Sequence, residues 1–238
     1  VLPIPAWVSY AHMITLAGGQ AVPVPLTPKA DLDAEAIKKA LTPKTKLIII
    51  NSPHNPTGAV FSKKALTNLA RTIKGNPIMV ISDEIYATLT YGKRFVSIAE
   101  LGLPFDQTLI INGFSKSQAL TGWRIGYTVT PAEIASALTS FLSHATGNAP
   151  LPGQLAALAA LKKNNQPQSL GVLKKREQLV ETQLKKIKAI KFSPPGGAFY
   201  FWLDIRGLTK NSAAWCEQLL SKTGVALVPG EAFFAPGF

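Results

Sequence analysis

Short apolar runs punctuate the chain at regular intervals. Leu47-Ile48-Ile49-Ile50, Ile78-Met79-Val80-Ile81 and Leu109-Ile110-Ile111 are unbroken and of strand length, and Arg124 to Val129 reads as a fourth strand. Strands without polar alternation suit a sheet covered on both faces, which predicts an α/β fold with mostly parallel strands. Helices are expected between them. Asp31 or Asp33 can cap one running through Ile37 and Leu41, Ser62 opens another through Leu66, Leu69 and Ile73, and Pro131 sits in the first turn of a third.

Beyond Gly171 the pattern changes. Leu173, Val180, Leu184 and Ile187 recur at spacings of seven, four and three, predicting a long amphipathic helix with one buried stripe. There follow Pro194-Pro195-Gly196-Gly197, an aromatic strand Phe199 to Leu203, a helix around Trp215 to Leu220 and a short strand Val225 to Val228. The change of pattern divides the chain into a large domain over 1–165 and part of a smaller α+β domain over 171–238.

Composition narrows the function classes. With 238 residues, 47% of them hydrophobic, the chain can bury a sizeable core. The formal charge is +12, but between Lys162 and Lys191 nine cations face only Glu177 and Glu181, so more than half of it belongs to one solvated helix face. No nucleic-acid module accompanies that charge, and neither a nucleic-acid partner nor a membrane is expected. One cysteine, Cys216, excludes an intrachain disulfide and any thiolate zinc site; His12, His54 and His144 are too scattered for a metal cluster, and none is expected. No apolar run approaches the ~20 residues of a membrane span, no signal peptide is visible, and a cytoplasmic setting is expected. The chain has no initiator Met and stops at Pro236-Gly237-Phe238, so it is expected to be a fragment.

Chemistry concentrates after the strands. Ligands of an open α/β sheet bind outside the carboxyl ends of the strands. Asn51-Ser52-Pro53-His54-Asn55-Pro56-Thr57-Gly58 follows the first, Ser82-Asp83-Glu84-Ile85-Tyr86 the second and Asn112-Gly113-Phe114-Ser115-Lys116 the third. Parallel strands would bring an amide, a carboxylate with a phenol, and an amine with a hydroxyl to one edge. Phosphate-loop, dinucleotide and nucleophile-elbow motifs are missing. A lysine beside a hydroxyl and opposite a carboxylate suits a Schiff base to pyridoxal phosphate, whose ring nitrogen wants an Asp partner, and Arg124 in Thr121-Gly122-Trp123-Arg124 suits the cofactor phosphate.

In this order the motifs resemble those of fold-type-I, class I/II aminotransferases dependent on pyridoxal phosphate. The resemblance runs through Pro5 to Tyr10, Ala17-Gly18-Gly19, Asn51 to Gly58, Asp83 to Tyr86, Ser115-Lys116 to Tyr127, Pro195 to Tyr200 and Pro229-Gly230-Glu231. Trp7-Val8-Ser9-Tyr10 with the Asn-Pro-Thr-Gly loop is most similar to bacterial-type aspartate aminotransferases. The resemblance implies a three-layer large domain, a homodimer, and roles for single residues. Lys116 would carry the Schiff base and shuttle a proton, Asp83 would pair with the ring nitrogen, and Tyr86 and Asn55 would bond the phenolic oxygen. Trp7 would stack on the ring, and Ser115 and Arg124 would hold the phosphate. Asn55, Trp7 and Phe199 are candidates for substrate contact, with Phe199 and Tyr200 lining the pocket mouth or packing beneath it. His54 reads as loop geometry, and Asn51 and Asn112 as loop stabilisers.

The implied reaction is amino transfer between an aspartate- or glutamate-like amino acid and a 2-oxo acid. Other chemistry on the same cofactor, such as a β-lyase or aromatic-type transaminase, stays open, as does the effector-sensing domain of a transcription regulator. The family's phosphate-gripping glycine turn, its substrate-carboxylate arginine, its second specificity cation and the tyrosine lent by a partner subunit are all expected outside this chain.

Overall fold

The computed structural model describes residues 1–163 and 166–238. Eight strands and seven helices follow in the order β1 (Leu2–Ile4), α1 (Ser9–Leu16), β2 (Pro23–Pro25), α2 (Ala34–Ala40), β3 (Leu47–Asn51), α3 (Lys63–Ile73), β4 (Met79–Asp83), β5 (Thr108–Gly113), β6 (Gly126–Val129), α4 (Ala132–Ala145), α5 (Leu151–Lys163), α6 (Gln166–Leu184), β7 (Lys191–Phe192), β8 (Leu203–Asp204) and α7 (Ser212–Thr223). The division expected at 165 falls outside the described residues.

The central sheet has the order β3-β4-β5-β6. β3, β4 and β5 are parallel, with Asn51 opposite Asp83 and Asp83 opposite Ile111, while β6 runs antiparallel with Gly126 opposite Gly113. The mostly parallel expectation holds for the three apolar runs; the fourth turns back because the residues after Gly113 make a short loop and not a helical crossover. Matched register brings the last residues of β3, β4 and β5 to one edge, which fixes where ligand chemistry can assemble.

The helices lock this edge in place. Asp33 accepts a hydrogen bond from the Ala36 amide and Ser62 one from Ala65, so both expected caps form. The apolar face of α3, Leu66, Leu69 and Ile73, is buried against Ile48, Ile50 and Val80 in the main core. A second cluster joins Leu2, Ala6 and Tyr10 to Ile49, placing β1 and α1 over the other side of β3.

Later elements depart from expectation. Of the stripe expected to be buried, Val180 and Ile187 are 41% and 46% exposed while Leu173 and Leu184 are half-buried, and Leu170 and Leu173 pack on Tyr86, Leu89 and Ala198. Only Leu203 of the aromatic run joins a strand, and Val225 to Val228 forms none. The aromatic run is irregular because its rings take unrelated partners: Phe199 meets Tyr86, Phe201 meets Phe192, and Trp202 stacks on Phe238. Among the described residues no helix is long and apolar enough to cross a membrane, and no group of three or more metal-binding side chains forms.

Candidate active site

Asp83 closes β4 and lies at the centre of the carboxyl edge. Its Oδ2 accepts the Tyr10 hydroxyl at 2.6 Å and its Oδ1 accepts the Ile85 amide at 3.1 Å. Burial raises its carboxyl above the ordinary range, and these two bonds pull it partly back. Tyr10 is pushed well above the ordinary phenol range, first by burial and then by the Asp83 charge, so it stays a neutral donor. Among the described residues Asp83 is in no salt bridge. A half-buried carboxylate held only by neutral donors can take a cationic partner, which would supply the missing charge.

Asn51, at the end of β3, joins two loops. Its Nδ2 donates to the Asp83 carbonyl at 2.9 Å and its Oδ1 accepts from the Asn55 amide at 2.7 Å. Thus Asn51 is a loop stabiliser, as expected, and it places Asn55 relative to Asp83. Asn112 accepts from the neighbouring Gly113 amide and serves its own turn.

Asn55, Tyr86 and Tyr200 form one polar cluster. Asn55 Nδ2 donates to the Tyr200 hydroxyl at 3.2 Å, and the Tyr86 and Tyr200 hydroxyls are 2.5 Å apart. Burial, then the bond with Tyr200, raises Tyr86 far above its ordinary value. Phe199 is 44% exposed and packs edge-on to Tyr86 at 5.4 Å, while the Lys116 ammonium lies 5.6 Å from the Phe199 ring centre. Lys116 therefore reaches the Tyr86 side of the edge through Phe199. Trp7 meets Tyr10 edge-to-face at 5.2 Å, on the Asp83 side.

Ser115 and Arg124 share a different neighbourhood. The Thr121 hydroxyl donates to the Ser115 carbonyl at 2.8 Å, and Arg124 Nη1 donates to the Thr121 carbonyl at 3.0 Å. Arg124 is exposed and left-handed, with φ 55°, a backbone state an arginine adopts only where its surroundings impose it. No bond links this loop to the Asp83 and Tyr86 cluster among the described residues. An arginine with most of its donors unspent suits a phosphate.

His54 is buried. Its Nδ1 contacts the Thr57 hydroxyl at 2.8 Å, and it bonds the Pro5 backbone. Burial lowers its pKa to about 3, so it is neutral and ties the Asn55 loop to the segment carrying Trp7. Its reading as loop geometry holds. Gly58 is required by close packing: its φ is +68°, and a Cβ there would lie 2.5 Å from Pro195 Cβ and 3.0 Å from the Tyr200 carbonyl.

One participant went unassigned in the sequence, and another was read only as pocket lining. Tyr10 lies 73 residues from Asp83, and Tyr200, expected to line the pocket mouth or pack beneath it, lies 145 from Asn55. Both belong to segments that carry the resemblance.

The family model "Aminotransferase class I and II" matches residues 1–238. An aspartate aminotransferase of Thermotoga maritima is 41% identical over 236 residues, covering 98% of this chain and 61% of that protein. A crystal structure of an aspartate aminotransferase from Thermotoga maritima superimposes with a TM-score of 0.93 at 40% identity, covering 100% of this chain and 62% of the other. An aromatic aminotransferase of Pyrococcus horikoshii superimposes with a TM-score of 0.91 at 38% identity, covering 99% and 65%. The chain thus spans a little over three fifths of the length of these relatives.

Proposed function

The chain belongs to the class I and II aminotransferases, and on that premise we propose that the whole protein transfers an amino group between an aspartate- or glutamate-like amino acid and a 2-oxo acid. The observation that carries this is the half-buried Asp83, in no salt bridge among the described residues, at the same sheet edge as the Asn55 and Tyr86 donors, with Lys116 in the loop that follows β5.

Pyridoxal phosphate fits these groups. Asp83 would face its ring nitrogen, Tyr86 and Asn55 its phenolic oxygen, Trp7 its ring, and Ser115 and Arg124 its phosphate, while Lys116 would hold it covalently. When bound, the cofactor supplies an electron sink for charge developing at the substrate carbon. The protein's own contribution is placement and proton handling. Tyr10 and the Ile85 amide keep the Asp83 carboxylate oriented, so that a proton on a nearby ring nitrogen is retained. Asn51 sets Asn55 against that carboxylate through two bonds. Lys116 Nζ, once free, is a base able to take a proton and return it at a neighbouring carbon. Phe199 screens this amine on one side, and Asn55, Trp7 and Phe199 line the place for substrate.

Aromatic amino acids are a second substrate class, favoured by the Pyrococcus relative's name and by the rings of Tyr200, Phe201 and Trp202 beside an apolar cavity of about 280 Å³. A homodimer is supported by exposed Phe141, Leu151, Leu155 and Leu161 on α4 and α5. Domains over 1–165 and 171–238, and a cytoplasmic setting, complete this reading. The test is appearance of oxaloacetate and glutamate when purified protein and pyridoxal phosphate are given aspartate and 2-oxoglutarate. Activity lost in Lys116→Ala is the expected result; equal activity in that variant would overturn the proposal.

A further inference from the structure

The Tyr200 hydroxyl has no role in the proposed cofactor placement, yet it touches two of the groups that make it. The segment leading into Tyr200 is held by backbone bonds to both loops concerned. The Gly196 and Gly197 amides donate to the Gly58 carbonyl at 2.8 and 3.0 Å, behind Asn55, and the Ala198 amide donates to the Leu89 carbonyl at 2.8 Å, behind Tyr86. With its ring packed on Tyr86 at 5.7 Å and on Phe199 at 4.8 Å, the hydroxyl is held at the cluster by the fold.

Counting protons decides what that hydroxyl does. Asn55 has two amide N–H groups and directs one to Tyr200, leaving one free. Tyr86 and Tyr200 own one proton each, and one of these lies in their 2.5 Å contact. If Tyr86 donates, it has nothing left for an oxyanion, and Tyr200 keeps a proton with no bonded partner among the described residues. If Tyr200 donates to Tyr86, the Tyr86 proton and the second Asn55 N–H are both available to a single oxyanion. Loading the site favours the second arrangement, because a bond to a charged acceptor is about twice as strong as one between neutral groups.

Resting on the proposed cofactor placement, we propose that Tyr200 is a positioning residue that completes a donor chain, Asn55 to Tyr200 to Tyr86, ending on the cofactor's phenolic oxygen. A hydroxyl that accepts one bond while donating another is polarised and donates more strongly, so Tyr200 acts on the cofactor through Tyr86. The charged and titratable groups around the chain are few. Asp83 lies near both phenols and Tyr10 lies on Asp83, while the Lys116 ammonium sits over Phe199, whose ring packs on Tyr200 at 4.8 Å.

The test is a pH titration of the visible absorption of the protein loaded with pyridoxal phosphate. Tyr200→Phe keeps the ring that packs on Tyr86 and Phe199 and removes only the hydroxyl. Its midpoint should rise by about half a pH unit, a roughly three-fold loss in the ionisation constant. Tyr86→Phe should raise it further, and the double variant should match Tyr86→Phe alone because Tyr200 works through that hydroxyl. A Tyr200→Phe midpoint that is unchanged or lowered, or two shifts that add in the double variant, would overturn the donor chain. A midpoint unmoved by Tyr86→Phe would overturn the placement of Tyr86 at the cofactor as well, which separates the two failures.

Discussion

At the ends of β3 and β4, Asn51, Asn55, Asp83 and Tyr86 bond to one another, to Tyr10 or to Tyr200, and burial shifts both Asp83 and Tyr86. In the loop after β5, Ser115 and Arg124 touch only Thr121, and Arg124 is exposed. The contrast follows from what each half would hold. A cofactor ring needs directed donors in a dry, rigid setting, where an electrostatic preference is large. A phosphate brings its own charge and solvation, and it can be met by an arginine that stays in water until it binds. Losses on the first side should therefore change chemistry and stability together, and losses on the second should change affinity alone.

The largest effect is expected at Asp83. Asp83→Ala should lower kcat by about a thousand-fold, the order reached when one preorganised electrostatic group is removed. Asp83→Asn should lose turnover as well, yet its cofactor-free form should be the more stable at pH 7.5. The sign follows from the raised carboxyl: its protonated form is favoured in the fold, so the stability it contributes is present below the ordinary carboxylate range and is lost as pH rises through the folded pKa. Thermal melts of wild type and Asp83→Asn should diverge as pH rises and converge in acid. A gap of constant size would show that burial is not what shifts Asp83.

Next in size is Asn51. Asn51→Ala leaves the Asp83 carbonyl and the Asn55 amide without their partner, and should cost about 2 kcal/mol of stability in denaturant titration. A simultaneous rise in KM for cofactor would sharpen the comparison, because it would show that the same bonds hold the fold and the site. The smallest effect on the fold belongs to Arg124. Arg124→Gln should weaken cofactor binding by about ten-fold, roughly 1.4 kcal/mol, with a melting temperature that stays with the wild type. A melting temperature several degrees lower would break the comparison, since it would make Arg124 part of the packed structure.

How much of this was legible in the sequence depended on distance along the chain. Unbroken Ile and Val runs announced β3, β4 and β5, and Asp33 and Ser62 announced their helices, because each signal acts within a few residues. Asp83, Tyr86, Asn55 and Lys116 were marked as candidates because the motifs follow the apolar runs at once. The pairing of Tyr10 with Asp83 and of Tyr200 with Asn55 and Tyr86 was not legible, since the partners lie 73 to 145 residues away and no local pattern encodes it. The aromatic run misled for a related reason. Phe199 to Trp202 has strand composition, but Tyr86, Phe192, Phe233 and Phe238 draw its rings in different directions. Likewise β6 has strand composition while each of its residues is exposed, so its place at the sheet edge had to come from the fold.

Borohydride reduction of the protein loaded with pyridoxal phosphate, followed by proteolysis and peptide mass measurement, tests the assignment of this edge most directly. The reduced cofactor should be found on the peptide containing Lys116, and Lys116→Ala should carry none. Cofactor on another lysine, or a Lys116→Ala protein that still carries the reduced adduct, would contradict the placement of the cofactor at the carboxyl edge of β3, β4 and β5.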